Sequence, residues 1–478
     1  MEARNIFQNI SPIDHRYSIS ENAVYQSLVP WISEEASIAA CVRAEIALVF
    51  AHLTVRGKLT DKIRAELENC KIDPAEVYAE EEKTSHNIRA LVNVLKRKVP
   101  QEIAPLVHLG ATSVDILDTS LSWRMAGVTR KVVLPALKKL ELMLCSFAQR
   151  EAETPQVGRT HGQHAVPITL GFAFAEYVSR LGKSILEIEK RSKELKGKLS
   201  GAVGAYNATS MIVKDPMELE HIYLAELGLE PSEHSTQLVE PEYLLRLLLE
   251  FNVAFGIIAN LADDLRNLQR SEIGEVREGF GADQVGSSTM PQKRNPWNSE
   301  HVKSLWKAFM PRVNTFFMDQ ISEHQRDLTN SASQRFIADY TAGFCLAISR
   351  MTKVIEGLGA DREQLLANLR GGGISGGIMA EPAYILLAET GVSDAHEVIR
   401  RITLAAEKEK LTFAVALSKE PEVLKKIGGK LAELGLIACA DDVLSFFEKP
   451  ESYCGLAVKK AKTLAEKYRS LMEGENNA

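Results

Sequence analysis

Three short polar segments carry the residue types that chemistry needs. GSSTMPQKRNP, from Gly286 to Pro296, sets Ser287, Ser288, Lys293, Arg294 and Asn295 within eleven residues. Glycine lets such a loop close tightly, the hydroxyls can give or take a proton, and a cation beside an amide can hold a carboxylate. GRTHGQHAVP gathers Thr160, His161, Gln163 and His164 just ahead of a helix. QRDLTNSASQR spaces Arg326, Ser331 and Arg335. If a helix opens at Asn330, Ser331 and Arg335 share one face, and two guanidiniums with a hydroxyl at a helix start suit a phosphate. Salt bridges to nearby acids are the plainer use of those arginines. Arg16 and Tyr17 in SPIDHRYS, a segment expected to be irregular, His86 in TSHNIRALV, and His108, Thr112 and Ser113 in VHLGATSVD add further polar groups. For a histidine beside an apolar run, core hydrogen bonding is the ordinary role.

Several chemistries lack their signature. His161 and His164 stand three apart, but no HExxH motif or acidic ligand cluster accompanies them. Neither Ser287 nor Ser288 lies in a GxSxG elbow, and there is no GxxxxGK[ST] loop. Neither a metal nor an organic cofactor is expected. Proton transfer by hydroxyls, histidines and a lysine around an anionic substrate remains.

The elements that must position these groups read as helices. At 478 residues the chain exceeds one compact core, and its 45% hydrophobic and 25% charged residues are ordinary for a globular protein. A net charge of −6 gives no reason to expect nucleic acid or an anionic membrane as partner. The six cysteines are far apart and read as reduced thiols. The opening MEARNIFQNISPIDHRYS carries charges where a secretory leader needs an apolar core, and no uninterrupted apolar run reaches about 18 residues. A cytoplasmic protein is expected. Residues 1–111 read as a helical region, 112–360 as a bundle of helices of roughly 25 to 35 residues, and 361–478 as a smaller helical region. Asp118 is expected to cap a helix running to about Ala152 with Pro135 as a kink. Val302, Leu305, Phe309, Val313, Phe316 and Phe317 form one stripe on a helix after the loop. Strand signals are nearly absent. Ile273–Pro296 is expected to be a lid, and the glycines between 371 and 377 a turn or hinge. The long apolar helices have more surface to bury than one thin bundle covers, which predicts self-association.

GSSTMPQKRNP resembles the signature loop of the fumarase/aspartase superfamily, whose members break a C–N or C–O bond by β-elimination and release fumarate. VHLGATSVDILDT, GRTHGQHAVP and SPIDHRY resemble the corresponding segments of its adenylosuccinate lyase family. RDLTNSA with Arg335 is similar to that family's nucleotide-phosphate site, and AEPAYILLAETG and PESYCGLA to its C-terminal domain. The resemblance implies an all-α, three-domain homotetramer without cofactor, its sites built from three subunits. The implied substrate is adenylosuccinate, split to AMP and fumarate, with the succinyl-carboxamide ribotide of purine synthesis a second. It makes Ser287 the general base and His161 the general acid, with Glu300 orienting it. Lys293 and Asn295 would hold the carboxylate next to the acidic proton, and Thr112 and Ser113 the succinyl carboxylates. Arg16, Tyr17, Arg326, Ser331 and Arg335 would meet the nucleotide, with His86, Thr160 and Gln237 as further substrate contacts. Asn87, Gln292 and Gln325 stand where aspartate, histidine and glutamate are usual in that family. These departures leave room for another fumarate-releasing lyase, such as an argininosuccinate lyase or one acting on an unphosphorylated succinyl compound. A crystallin-like structural protein on the same scaffold is the remaining alternative.

Overall fold

The computed structural model describes residues 5–281, 285–371, 376–439 and 442–474. Part of the expected lid and most of the glycine run at 371–377 lie outside the described residues. The fold is all-α, as expected, and the described residues include three two-stranded ladders among the helices. The largest is a hairpin of β1 (Pro155–Thr160) and β2 (Gln163–Thr169), so strands are few, as expected, but this hairpin was not foreseen. Lys196–Gly197 pairs with Glu230–Pro231, and Val276–Arg277 with Gly359–Ala360.

The chain forms two compact units. One takes the chain up to Lys138, Lys183–Ile258 and Ser304–Arg350; the other takes Lys139–Gly182, Ala259–Lys303 and the chain from Met351 on. The core of the first is the helix Glu34–Val55, started by Ser33, whose hydroxyl accepts the Ala36 N–H at 3.1 Å. Its apolar residues pack with Leu67, Ile88, Leu95, Ile116, Leu199 and Tyr223. Glu242–Leu268 adds Phe251 and Phe255, each with its ring 5.3 Å from that of Phe344. In the second unit Phe413 and Phe447 centre a cluster with Ile399, Leu417, Ile427 and Leu431. Gly171 approaches the carbonyl of Ala148 so closely that a Cβ would lie 2.3 Å from it.

The stretches 22–55 and 242–268 are long and apolar enough to span a bilayer, but 72% and 56% of their most apolar windows are buried inside the protein, as in core helices. The long stretch after Thr112 is two helices, Ser113–Val128 and Leu134–Arg150, joined by a π-helical turn at Thr129–Val133. The break precedes Pro135, which cannot donate to the ladder. Its cap is Thr112 instead of Asp118, whose carboxylate accepts the Val239 N–H at 3.0 Å. Likewise the expected stripe from Val302 to Phe317 is split into Trp297–Phe309 and Arg312–Met318 around Pro311, and Phe317 is exposed. The Arg16–Tyr17 segment, expected to be irregular, is a π-helical turn over Ile13–Tyr17.

Candidate active site

The second unit holds the residues expected to move protons. His161 and Gly162 form the two-residue turn of the hairpin, between the paired Thr160 and Gln163. Their φ values are 55° and 74°, the left-handed pair that a type I′ turn requires. Histidine rarely adopts that conformation, so the fold holds His161 under strain and exposes it at the tip with Thr160. The base of the hairpin is anchored by Glu275, a fully buried carboxylate that sequence reasoning missed. Both oxygens of Glu275 accept from Arg159 (2.5 and 3.1 Å), and further bonds come from Gln156 (2.7 Å) and Asn368 (2.9 Å). Glu275 opens the run that leads to the loop, so hairpin and loop share one anchor.

Three residues after Glu275, Glu278 reaches across to the far end of the loop and accepts the N–H groups of Asn298 (3.3 Å) and Ser299 (2.8 Å) and the Ser299 hydroxyl (2.5 Å), capping the helix Trp297–Phe309. The loop is therefore held at both ends. Its neck is closed by Asn295, whose amide donates to the Gly286 carbonyl at 3.0 Å, and by Gly286, where a Cβ would lie 1.9 Å from the Lys293 carbonyl. Ser287 Oγ accepts the N–H groups of Thr289 (3.3 Å) and Met290 (3.1 Å). Those two amides are the donors an alkoxide at that oxygen would need. Ser288, Lys293 and Glu300 are exposed. Among the described residues no hydrogen bond or ion pair joins His161 to Glu300 or to Ser287.

The first unit holds the other residues expected to bind substrate, while Thr160 and Asn295 lie in the second. Thr112 and Asp115 form a reciprocal capping box, which places Ser113 in the first turn of a 16-residue helix, where the amide dipoles favour an anion. His86 caps Asn87–Lys98, its Nδ1 accepting the Arg89 N–H at 3.2 Å, so in that tautomer Nε2 carries the proton. The Gln237 N–H donates to the Gln325 carbonyl at 3.2 Å, which ties that segment to the one carrying Arg326. Arg326 has φ 81°, and its guanidinium donates to the Gln320 carbonyl (2.8 Å) and Ser322 Oγ (2.9 Å). Ser331 and Arg335 do not share an α-helical face: Ser331 lies in a turn and Arg335 in a 3-10 turn over Ser333–Phe336, ahead of the helix Ile337–Glu356. Both nonetheless line one cavity of ≈ 420 Å³ together with Asn87, Asp118, Arg124 and Gln334. Burial pushes Asp118 up to about 6, against the pull of the Val239 N–H and Lys198. Arg16 is exposed beside Tyr17, whose hydroxyl is pushed up by burial and pulled back by Arg350 and Arg16.

A long-helix fold bearing this loop defines the class. Solved structures of similar fold include a fumarate lyase from Mesorhizobium sp. BNC1 (TM-score 0.78, 20% identity, 93% of this chain and 97% of that one). A 3-carboxy-cis,cis-muconate lactonizing enzyme from Pseudomonas putida is another (TM-score 0.77, 23% identity, 93% and 97%). Residues 18–308 match the profile described as Lyase, and residues 322–436 the one described as Adenylosuccinate lyase C-terminal. Relatives named adenylosuccinate lyase from Pyrococcus horikoshii and Pyrococcus abyssi are 33% and 34% identical, covering 96% and 94% of this chain and 97% and 95% of theirs. One from Thermotoga maritima is 30% identical over 83% of this chain and 90% of its own. The chain belongs to the adenylosuccinate lyase family of the fumarase/aspartase superfamily.

Proposed function

We propose that this enzyme splits adenylosuccinate into AMP and fumarate by β-elimination, and acts likewise on the succinyl-carboxamide ribotide of purine synthesis. The observation that carries this reading is the similarity to relatives named adenylosuccinate lyase along nearly the whole chain. Ser287 removes a proton from the succinyl Cβ, and the Thr289 and Met290 amides stabilise its alkoxide. Lys293 and Asn295 hold the adjacent carboxylate, the lysine by charge and the amide by hydrogen bonding, as negative charge builds on the carbanion. His161 protonates the departing nitrogen, oriented by Glu300. Thr112 and Ser113 hold the succinyl carboxylates, while Arg16, Tyr17, Arg326, Ser331 and Arg335 receive the nucleotide, with His86, Thr160 and Gln237 as further contacts.

Because His161 and Glu300 are exposed and unjoined within the chain, we assign their meeting to a homotetramer whose sites take segments from more than one cytoplasmic copy. Light scattering should give a tetramer at micromolar protein. The direct test mixes pure protein with adenylosuccinate and follows fumarate; no release above background from an intact tetramer rejects the reaction. Arg326→Ala should mainly raise KM for a phosphate-bearing substrate.

A further inference from the structure

One charged pair is withdrawn from water and takes no part in the chemistry above. Asp115 and Lys198 are both fully buried; the Lys198 ammonium donates to Asp115 Oδ1 and to the Gly201 carbonyl (3.1 Å). The same Oδ1 accepts the N–H groups of Ser200 (3.2 Å) and Gly201 (3.3 Å), while Oδ2 accepts that of Thr112 (2.8 Å). Thr119, one turn along the same helix, brackets the Lys198 backbone, its hydroxyl 3.0 Å from the N–H and 3.2 Å from the carbonyl. The connection continues through Ser200, whose Oγ lies 3.0 Å from that of Ser235. Gly204 passes so near the Ser235 carbonyl that a Cβ would lie 1.8 Å from it. Gln237 is two residues further on. Thr112 is thus bonded directly to the buried carboxylate, with Ser113 next to it, and the segment leading to Gln237 is joined to the pair through Ser200 and Ser235.

Buried ion pairs stabilise poorly, because desolvation offsets the attraction, and apolar replacements of similar volume are often neutral or better. Four donors converging on one carboxylate do fix direction and distance. We propose that Asp115 and Lys198 are positioning residues, which set the Thr112–Ser113 helix start against the 200–204 turn and Gln237 so that the succinyl carboxylates meet one fixed geometry. The inference rests on the lyase reading above and concerns the succinyl half of the substrate, not the nucleotide half.

The test compares Asp115→Asn and Lys198→Met with wild type, measuring KM and kcat for adenylosuccinate and inhibition by fumarate and by AMP. The KM and the fumarate inhibition constant should each rise by at least roughly tenfold, since small misplacements of binding groups are costly. The AMP constant should stay within roughly twofold, with helical content and assembly unchanged. Parallel loss of fumarate and AMP affinity, or folded variants with wild-type constants, overturns the proposal. Should Asp115→Asn not fold, Thr119→Val removes only the hydroxyl that brackets Lys198 and should shift the fumarate constant alone, by roughly threefold; equal shifts in both constants, or none, overturn it. Wild-type protein that neither releases nor binds fumarate rejects the reaction, whereas active wild type with unchanged variants rejects only the positioning role.

Discussion

At the scale of the residue, Ser287 and Ser288 differ by what their oxygens meet. Ser287 Oγ already accepts two backbone amides, and Ser288 is exposed beside it. An alkoxide is costly at neutral pH, so the two amide donors are the feature that supports Ser287 over Ser288 as the proposed base. Ser287→Ala and His161→Ala should each lower kcat by at least roughly 10² with substrate binding still measurable, and Ser288→Ala should do far less. A large loss in Ser288→Ala alone would move the base to the neighbouring residue. Ser287, Lys293 and Asn295 stand out as candidates in the sequence because their motif is contiguous. Glu275 and Lys198 do not, because their partners lie far along the chain: Gln156 and Glu275 are 119 residues apart, and Asp115 and Lys198 are 83 apart. A lone acid or lysine carries no spacing to read.

At the scale of the element, the hairpin shows why one part of the fold escaped sequence reasoning. Asn-Gly or Asp-Gly between alternating residues announces a type I′ turn. Here the turn is His161-Gly162, and a bulge between Val157 and Arg159 breaks the alternation of β1. The long helices and the kink near Pro135 are legible from apolar periodicity and the proline, but the stripe from Val302 to Phe317 hides the break at Pro311, because its apolar spacing runs straight across it. The hairpin also predicts a trade of stability against activity. Asparagine tolerates the left-handed region better than histidine, so His161→Asn should stabilise the protein by about 0.5–1 kcal/mol. The same change removes the proposed general acid and should lower kcat by at least roughly 10². Thermal unfolding and turnover measured on one preparation check both halves, and a less stable variant would show that the turn bears no strain at His161.

At the scale of the whole molecule, composition divides the chain in order, at about 111 and 360, whereas each compact unit collects three separate segments. Pairings of distant segments leave no trace in local composition, and so that grouping was not legible. Buried carboxyls then shape the response of the whole to pH. Burial raises Asp118, Glu141, Glu220, Glu250, Asp264 and Asp319, and both oxygens of Glu141 lack a hydrogen-bond partner among the described residues. Asp118 offers the cleanest test because its folded value is about 6 against an ordinary 3.8. A raised carboxyl binds its proton more tightly in the folded state, so its favourable contribution is complete below about pH 4 and is lost as pH rises through about 6. Above that, folding must bury a charge that the unfolded chain leaves in water. Asp118→Asn keeps an oxygen to accept the Val239 N–H and removes the charge. It should therefore be more stable than wild type at pH 8, by an amount of order 1–3 kcal/mol, with the gap closing by about pH 4. Urea unfolding of both proteins at pH 4, 6 and 8 and equal protomer concentration reads this directly, and a gap that does not change with pH would place the Asp118 charge in water in the folded protein.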